Sequence, residues 1–213
     1  MRRFRARTEA GTRLATVLAG RDWHDPVVFG LARGGLPVAA PVALALDAPL
    51  EVLVARKIGA PGQPELGLGA ITPDGPPYYD CEGLAIVDLT PHDLTGAADQ
   101  ARAEARDQVR RYLGDRAPHP VSGRDALVID DGVATGGTAV AALRSLRSRN
   151  PRRLVFAAPV GAPSALDKLA AEADEVVCLR QPLQFRAVGE FYLDFRQTTD
   201  DEVLSLLPLR RQH

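Results

Sequence analysis

Five short, nearly continuous apolar runs constrain this chain more than any other feature. They are Pro26–Leu31, Leu50–Ala55, Ala126–Ile129, Arg153–Val160 and Glu175–Leu179. Each has the length of a strand. Stretches with helical spacing alternate with them: Thr8–Ala19 (which Thr8 can cap), Leu36–Leu46, Thr95–Leu113, Thr138–Arg149 and Pro163–Ala171. Strands that are apolar on both faces belong in a parallel sheet covered by helices on both sides. The expected fold class is therefore α/β, and ligands of such sheets bind in the loops at the carboxyl ends of the strands. Arg56–Pro64 reads as a loop rich in glycine and proline, and Leu66–Thr72 as a strand. Pro73–Pro77 reads as a turn, Leu84–Val87 as a further strand, and the region near Asp200–Leu207 as a last helix.

The 213 residues suffice for one domain, 1–213, with a core of about 26–180. The net charge of -1 gives no broad case for nucleic acid or an anionic membrane, although Arg2–Arg7 and the arginines of 144–153 could form local patches. Leu36–Ala55 is interrupted by Pro41, Asp47, Pro49 and Glu51, so it cannot span a bilayer. Cys81 and Cys178 lie far apart, the histidines are scattered, and no zinc spacing appears. The basic N-terminus is followed by no long apolar run. These features predict a soluble, cytoplasmic protein.

One loop carries most of the chemistry. The strand Ala126–Ile129 ends in Asp130 and Asp131, followed by Gly132, Val133, Ala134, Thr135, Gly136, Gly137 and Thr138, and then a helix. Glycines let backbone N–H groups turn inward, the helix N-terminus adds partial positive charge, and the threonines can donate hydroxyl hydrogens. Together they make a cradle for a phosphate monoester. A Walker loop needs a Lys where this chain has Gly137. A Rossmann fingerprint carries its acid well after the glycines, whereas here the acids come first. Paired carboxylates beside a phosphate cradle can accept hydrogen bonds from a vicinal diol or hold Mg2+, so a sugar phosphate is the expected ligand.

The string VIDDGVATGGT closely resembles the 5-phosphoribosyl-1-pyrophosphate (PRPP) motif of type I phosphoribosyltransferases. The resemblance implies a central parallel sheet with helices on both faces and a small hood, here 181–213 with an N-terminal contribution. It places Asp130 and Asp131 at the ribose hydroxyls and Mg2+, with Ala134–Thr138 around the 5-phosphate. Members acting on 6-oxopurines carry an Asp where this chain has Ala134, which speaks against that subclass.

Two further loops follow in family order. Gly30–Gly35 resembles the pyrophosphate loop, with Arg33 as its cation, Gly34 giving close approach and Ala32–Arg33 the place of a cis peptide. Read alone, it is equally a βα turn with a surface arginine. Arg56-Lys57-Ile58-Gly59-Ala60-Pro61-Gly62 resembles the start of the mobile catalytic loop of adenine-type members, with Arg56 and Lys57 on the pyrophosphate; a solvated basic turn is the plainer alternative. Glu65, just beyond it, is the candidate general base or simply a surface charge. Phe185, Phe191 and Tyr192, with Phe195 nearby, either stack on a heterocyclic acceptor or serve as core or dimer contacts.

The implied activity is Mg2+-dependent transfer of ribose 5-phosphate from PRPP to a nitrogenous base, with release of pyrophosphate, in a homodimer. The alternative is a regulator that binds PRPP or nucleotide on the same fold without catalysis. PRPP synthesis is disfavoured by chain length and the lack of an ATP site.

Overall fold

A computed structural model describes residues 3–114 and 116–207. Arg2 of the basic N-terminal patch and residues 208–213 of the expected hood lie outside the described residues. The first half of the chain forms α1 (Arg7–Ala19), β1 (Val27–Leu31), α2 (Leu36–Ala45), β2 (Leu50–Leu53), β3 (Arg56–Ala60), β4 (Gln63–Ile71), β5 (Tyr78–Tyr79) and α3 (Cys81–Ile86). Then come α4 (Thr95–Leu113), β6 (Asp125–Ile129), α5 (Gly137–Arg147), β7 (Arg153–Ala158), α6 (Pro163–Ala170), β8 (Glu175–Cys178) and α7 (Asp200–Leu206).

The five apolar runs form one sheet in the order β2-β1-β6-β7-β8, parallel throughout. Side chains alternate across its faces as strand geometry requires. Val28, Leu127, Ile129, Val155 and Ala157 point into a core shared with α1, α2, α4 and α7. Val27, Phe29, Ala126, Val128, Leu154 and Phe156 point into the opposite core, built with α5 and α6. Fully burying a Leu or Phe side chain stabilises by ~1.5–3 kcal/mol, so these two layers set the sheet's register.

Three expectations need correction. The Gly- and Pro-rich stretch after β2 is not an open loop. It is a hairpin, β3 pairing antiparallel with β4, extended by β5. Ile58, Leu68 and Ile71 are buried there against Leu84 of α3, Leu94 just before α4, and Ala98 and Ala101 in its first turns. That apolar support outweighs the turn-forming residues, which concentrate at Pro61 and Gly62.

Leu84–Val87 is not a strand, because Leu84–Ile86 belong to α3 and Val87 caps it; the Leu84 N–H donates to the Asp80 carbonyl at 2.9 Å. Leu84 is buried in the hairpin core and Val87 packs against it, while Ile86 is exposed. Thr8 does not cap α1. The helix starts one residue earlier with Ala6 in the cap position, and its first turn is closed instead by Glu9, which accepts the Arg5 N–H at 2.5 Å.

The two ends of the described chain meet. The Phe4 N–H donates to the Phe191 carbonyl, the Leu193 N–H to the Phe4 carbonyl and the Asp194 N–H to the Arg5 carbonyl, at 2.8, 2.8 and 2.9 Å. Phe4, Ala10, Val160 and Tyr192 bury together beneath this junction, with Phe185, Val188, Phe191 and Phe195 packed around them.

Candidate active site

β1 and β6 are neighbours, with Gly30 registered opposite Ile129. Both strands therefore deliver their next residues to the same edge of the sheet. Gly34 ends up against Asp131: a Cβ on Gly34 would stand 2.1 Å from Asp131 Oδ2. Only glycine lets the two loops approach this closely. The Ala32–Arg33 peptide is cis. Arg33 is part-exposed and lies 3.6 Å from Asp200 at the start of α7, a carboxylate that also takes a hydrogen bond from Tyr112 at 2.6 Å.

The loop from Asp130 to Gly136 is pinned to the β7–α6 connection. The Val133 N–H donates to the Val160 carbonyl at 3.0 Å, and the Ala162 N–H to the Val133 carbonyl at 2.8 Å. Gly136 takes φ +82°, a left-handed conformation that lets the chain turn into α5. Gly132 and Val133 are buried, Ala134 and Thr135 are exposed, and Gly137 and Thr138 open the helix. The amides of this first turn have no intrahelical acceptor, so they are available to an anion. Tyr78 of β5 rests its ring against Gly137, which a Cβ would bring within 3.5 Å of the ring edge.

The two acids differ in their surroundings. The Asp131 N–H donates to Asp130 Oδ1 at 2.8 Å. Burial, and then the neighbouring Asp131 charge, push Asp130 well above the usual carboxylate range. Burial also raises Asp131, opposed by the Arg7 guanidinium. Arg7, the first residue of α1, donates from Nε to Asp131 Oδ2 at 2.7 Å and from a terminal nitrogen to the Arg196 carbonyl at 2.7 Å. Its guanidinium lies 4.0 Å over the Phe195 ring. The Tyr192 hydroxyl donates to the Asp131 carbonyl at 2.6 Å, so the aspartate is held through both side chain and backbone. A cavity of about 210 Å3 opens beside Arg7, walled by Pro37, Asp194, Arg196, Thr198 and Glu202.

Other predicted site residues stand apart from this cluster. Arg56 pairs with Glu104 of α4. Lys57 is exposed and forms no ion pair among the described residues; it is registered opposite Ala70, which in turn pairs with Tyr78. Adjacent strand residues face opposite sides, so Lys57 shares a hairpin face with Tyr78 and Arg56 does not. Both border an open groove of about 590 Å3 between the hairpin and the start of α4. Glu65 is exposed near the hairpin tip. Phe185 and Phe191 stack at 5.5 Å, while Tyr192 is enclosed by Phe4 at 5.4 Å and Phe195 at 5.0 Å.

Arg7 and Tyr78 escaped the sequence reading. Arg7 lies 124 residues from Asp131, and no local spacing signals such a partner. Tyr78 follows a proline cluster that reads only as a turn.

Comparison with known proteins agrees with this fold. The family model described as the phosphoribosyl transferase domain matches residues 5–196. A crystal structure of a Thermus thermophilus protein (TT1426) is 42% identical, covers 97% of this chain and 98% of that one, and superposes with a TM-score of 0.81. A Mycobacterium tuberculosis (strain H37Rv) protein described as a "putative phosphoribosyl transferase" is 42% identical over 207 residues, 97% of this chain and 47% of its own length. The chain thus spans about half of that curated relative. A uracil phosphoribosyltransferase of Clostridium beijerinckii is 33% identical over 98 residues, 44% of this chain and 46% of its own. With the expected parallel α/β sheet in place and a family model covering nearly its whole length, the chain belongs to the phosphoribosyl transferase domain family.

Proposed function

We propose that this domain is an active, Mg2+-dependent phosphoribosyltransferase that moves ribose 5-phosphate from PRPP to a nitrogenous, nucleobase-like acceptor other than a 6-oxopurine, as a cytoplasmic homodimer. The observation that carries this reading is the meeting of two loops at the carboxyl ends of β1 and β6, where the glycine-rich loop after β1 packs against the paired carboxylates and the turn into α5. Ala134 in place of an acid supports the exclusion of 6-oxopurines. The short match to a uracil enzyme puts uracil first among acceptors to try. The homodimer comes from the family resemblance. Among the described residues no helix is long and apolar enough to cross a membrane.

In the reaction, an acceptor nitrogen lone pair forms the bond to C1 of the ribose. The C1–oxygen bond breaks with its electrons, which leave on pyrophosphate, and the acceptor nitrogen loses a proton. The amides and hydroxyls of 134–138 hold the 5-phosphate. Asp130 and Asp131 accept hydrogen bonds from the ribose 2- and 3-hydroxyls and fix the ring as positive charge develops on it. Arg33, at the pyrophosphate loop, and Lys57, on the hairpin, stabilise the leaving group. Arg56, tied to Glu104, has the lesser part. Glu65 reaches the acceptor proton only if the hairpin folds inward.

Phe185 and Phe191 offer aromatic surface to the acceptor, whereas the enclosed Tyr192 supports the aspartate turn. Among the described residues no three His, Cys, Asp or Glu side chains gather to hold a metal on their own. Mg2+ is commonly bound by one or two carboxylates plus substrate oxygens and water, so Asp130 and Asp131 fit an ion that arrives with the substrate. Bound there, it would neutralise charge on the departing pyrophosphate.

The test follows pyrophosphate release from PRPP and Mg2+ over uracil, other pyrimidines, adenine and aromatic amines. One acceptor should give turnover, and Asp131→Asn should lower kcat/KM for PRPP at least ~10-fold, the loss of one charge-assisted hydrogen bond. Tight PRPP binding without turnover on any acceptor would instead support a regulatory protein. An unchanged rate in Asp131→Asn would remove the diol assignment.

A further inference from the structure

Among the described residues, Arg7 is the cation that binds the aspartate turn directly. Its side chain is only 12% exposed. Every group that fixes it comes from a distant part of the chain: Asp131 from the loop after β6, and the Arg196 carbonyl and Phe195 ring from the C-terminal segment. Gly34 presses on the same spot, since a Cβ there would also come within 3.3 Å of Arg7 Nε. Planar guanidinium, two donors in fixed directions and a ring beneath leave this side chain little rotational freedom. One oxygen of Asp131 is therefore occupied before any ligand arrives, and the orientation of the other is set by that bond.

We propose that Arg7 is a positioning residue for sugar recognition: by engaging Asp131 Oδ2 it fixes the carboxylate so that Oδ1 faces the ribose diol, and it thereby makes the crevice selective for a vicinal diol over a deoxyribose. This rests on the ribose-phosphate reading above. It assigns Arg7 no contact with the reacting atoms. The 5-phosphate cradle lies beyond the turn and is built from backbone amides and threonines, so it is independent of Arg7.

That independence supplies the experiment. Ribose 5-phosphate and 2-deoxyribose 5-phosphate are titrated by calorimetry into the wild-type protein and into Arg7→Ala and Arg7→Lys. The wild type should bind the ribose form at least ~10-fold more tightly, one charge-assisted hydrogen bond's worth. Arg7→Ala should lose that preference by weakening the ribose form alone, leaving the deoxy form within about twofold. Arg7→Lys keeps the charge but not the two-donor fork, and it should recover only part. Added guanidinium ion should restore part of the preference in Arg7→Ala.

Three results would overturn the assignment. Equal weakening of both ligands in Arg7→Ala, with a lower melting temperature, would mean that Arg7 only holds the fold. Tighter ribose binding in that variant would mean that Arg7 competes with the sugar. An unchanged preference would mean that Asp131 needs no such support. If the wild type binds neither sugar phosphate, the functional reading itself falls, and that result is distinct from the other three.

Discussion

Asp125 shows how a buried charge is kept in this chain, at the end of β6 opposite the crevice. Its side chain is fully buried. It accepts two hydrogen bonds from Arg152 at 2.9 and 2.8 Å, one from Arg153 at 3.1 Å and one from the His24 N–H at 3.0 Å. Burial pushes its carboxyl up, but Arg152, the His24 amide and the Arg153 charge outweigh it, and the group sits below the usual range. A carboxyl whose folded pKa is depressed contributes stability that is complete above its unfolded value, about 4, and is lost as pH falls through the folded value. Asp125→Asn should therefore lower stability by about 3 kcal/mol at pH 7. The gap to the wild type should shrink as the pH drops below about 4. A gap in denaturant unfolding that stays constant down to about pH 2 would show that the charge is irrelevant. The crevice acids follow the opposite rule. Burial raises Asp130 and Asp131, and at Asp131 the Arg7 guanidinium opposes the rise without cancelling it.

At the scale of elements, the turn into α5 is the most constrained segment. Gly136→Ala puts a Cβ on a left-handed residue, which costs about 1–2 kcal/mol, or roughly 2–4 °C in Tm for each kcal/mol at this chain length. On the proposed assignment of these amides to the 5-phosphate, the same substitution should weaken PRPP binding. A variant with normal affinity would place the phosphate elsewhere. The turn was legible in the sequence because everything it needs is consecutive: strand, acids, glycines, threonine, helix. The sheet was legible for the same reason, since each strand declares its burial in its own residues. The hairpin was not. Ile58, Leu68 and Ile71 are buried by Leu84, Leu94, Ala98 and Ala101, and no local pattern announces that support. Arg7 was hidden in the same way, its role fixed by partners far along the chain.

For the whole molecule, the sheet has two cores and the hairpin a small one of its own, and α4 contributes to both sides. Residues 61–67 of the hairpin are exposed. Local opening follows where apolar support is thin, so amides of β3 and the first half of β4 should exchange with deuterium well before those of Val28–Gly30 and Leu127–Ile129. Equal protection would mean that the hairpin opens only with the sheet, and Lys57 could not then swing toward a substrate on its own.

The pairing of Phe4 and Arg5 with residues 191–194 also bears on how the domain is made. Arg7 leaves the ribosome well before the sheet does, and Phe195 and Arg196 leave it well after. While the strands between them are being synthesised, the nascent chain can assemble its sheet and the turn into α5, yet Arg7 has no ring to lie on and no carbonyl to meet. The crevice reaches its finished shape only once translation has passed Arg196.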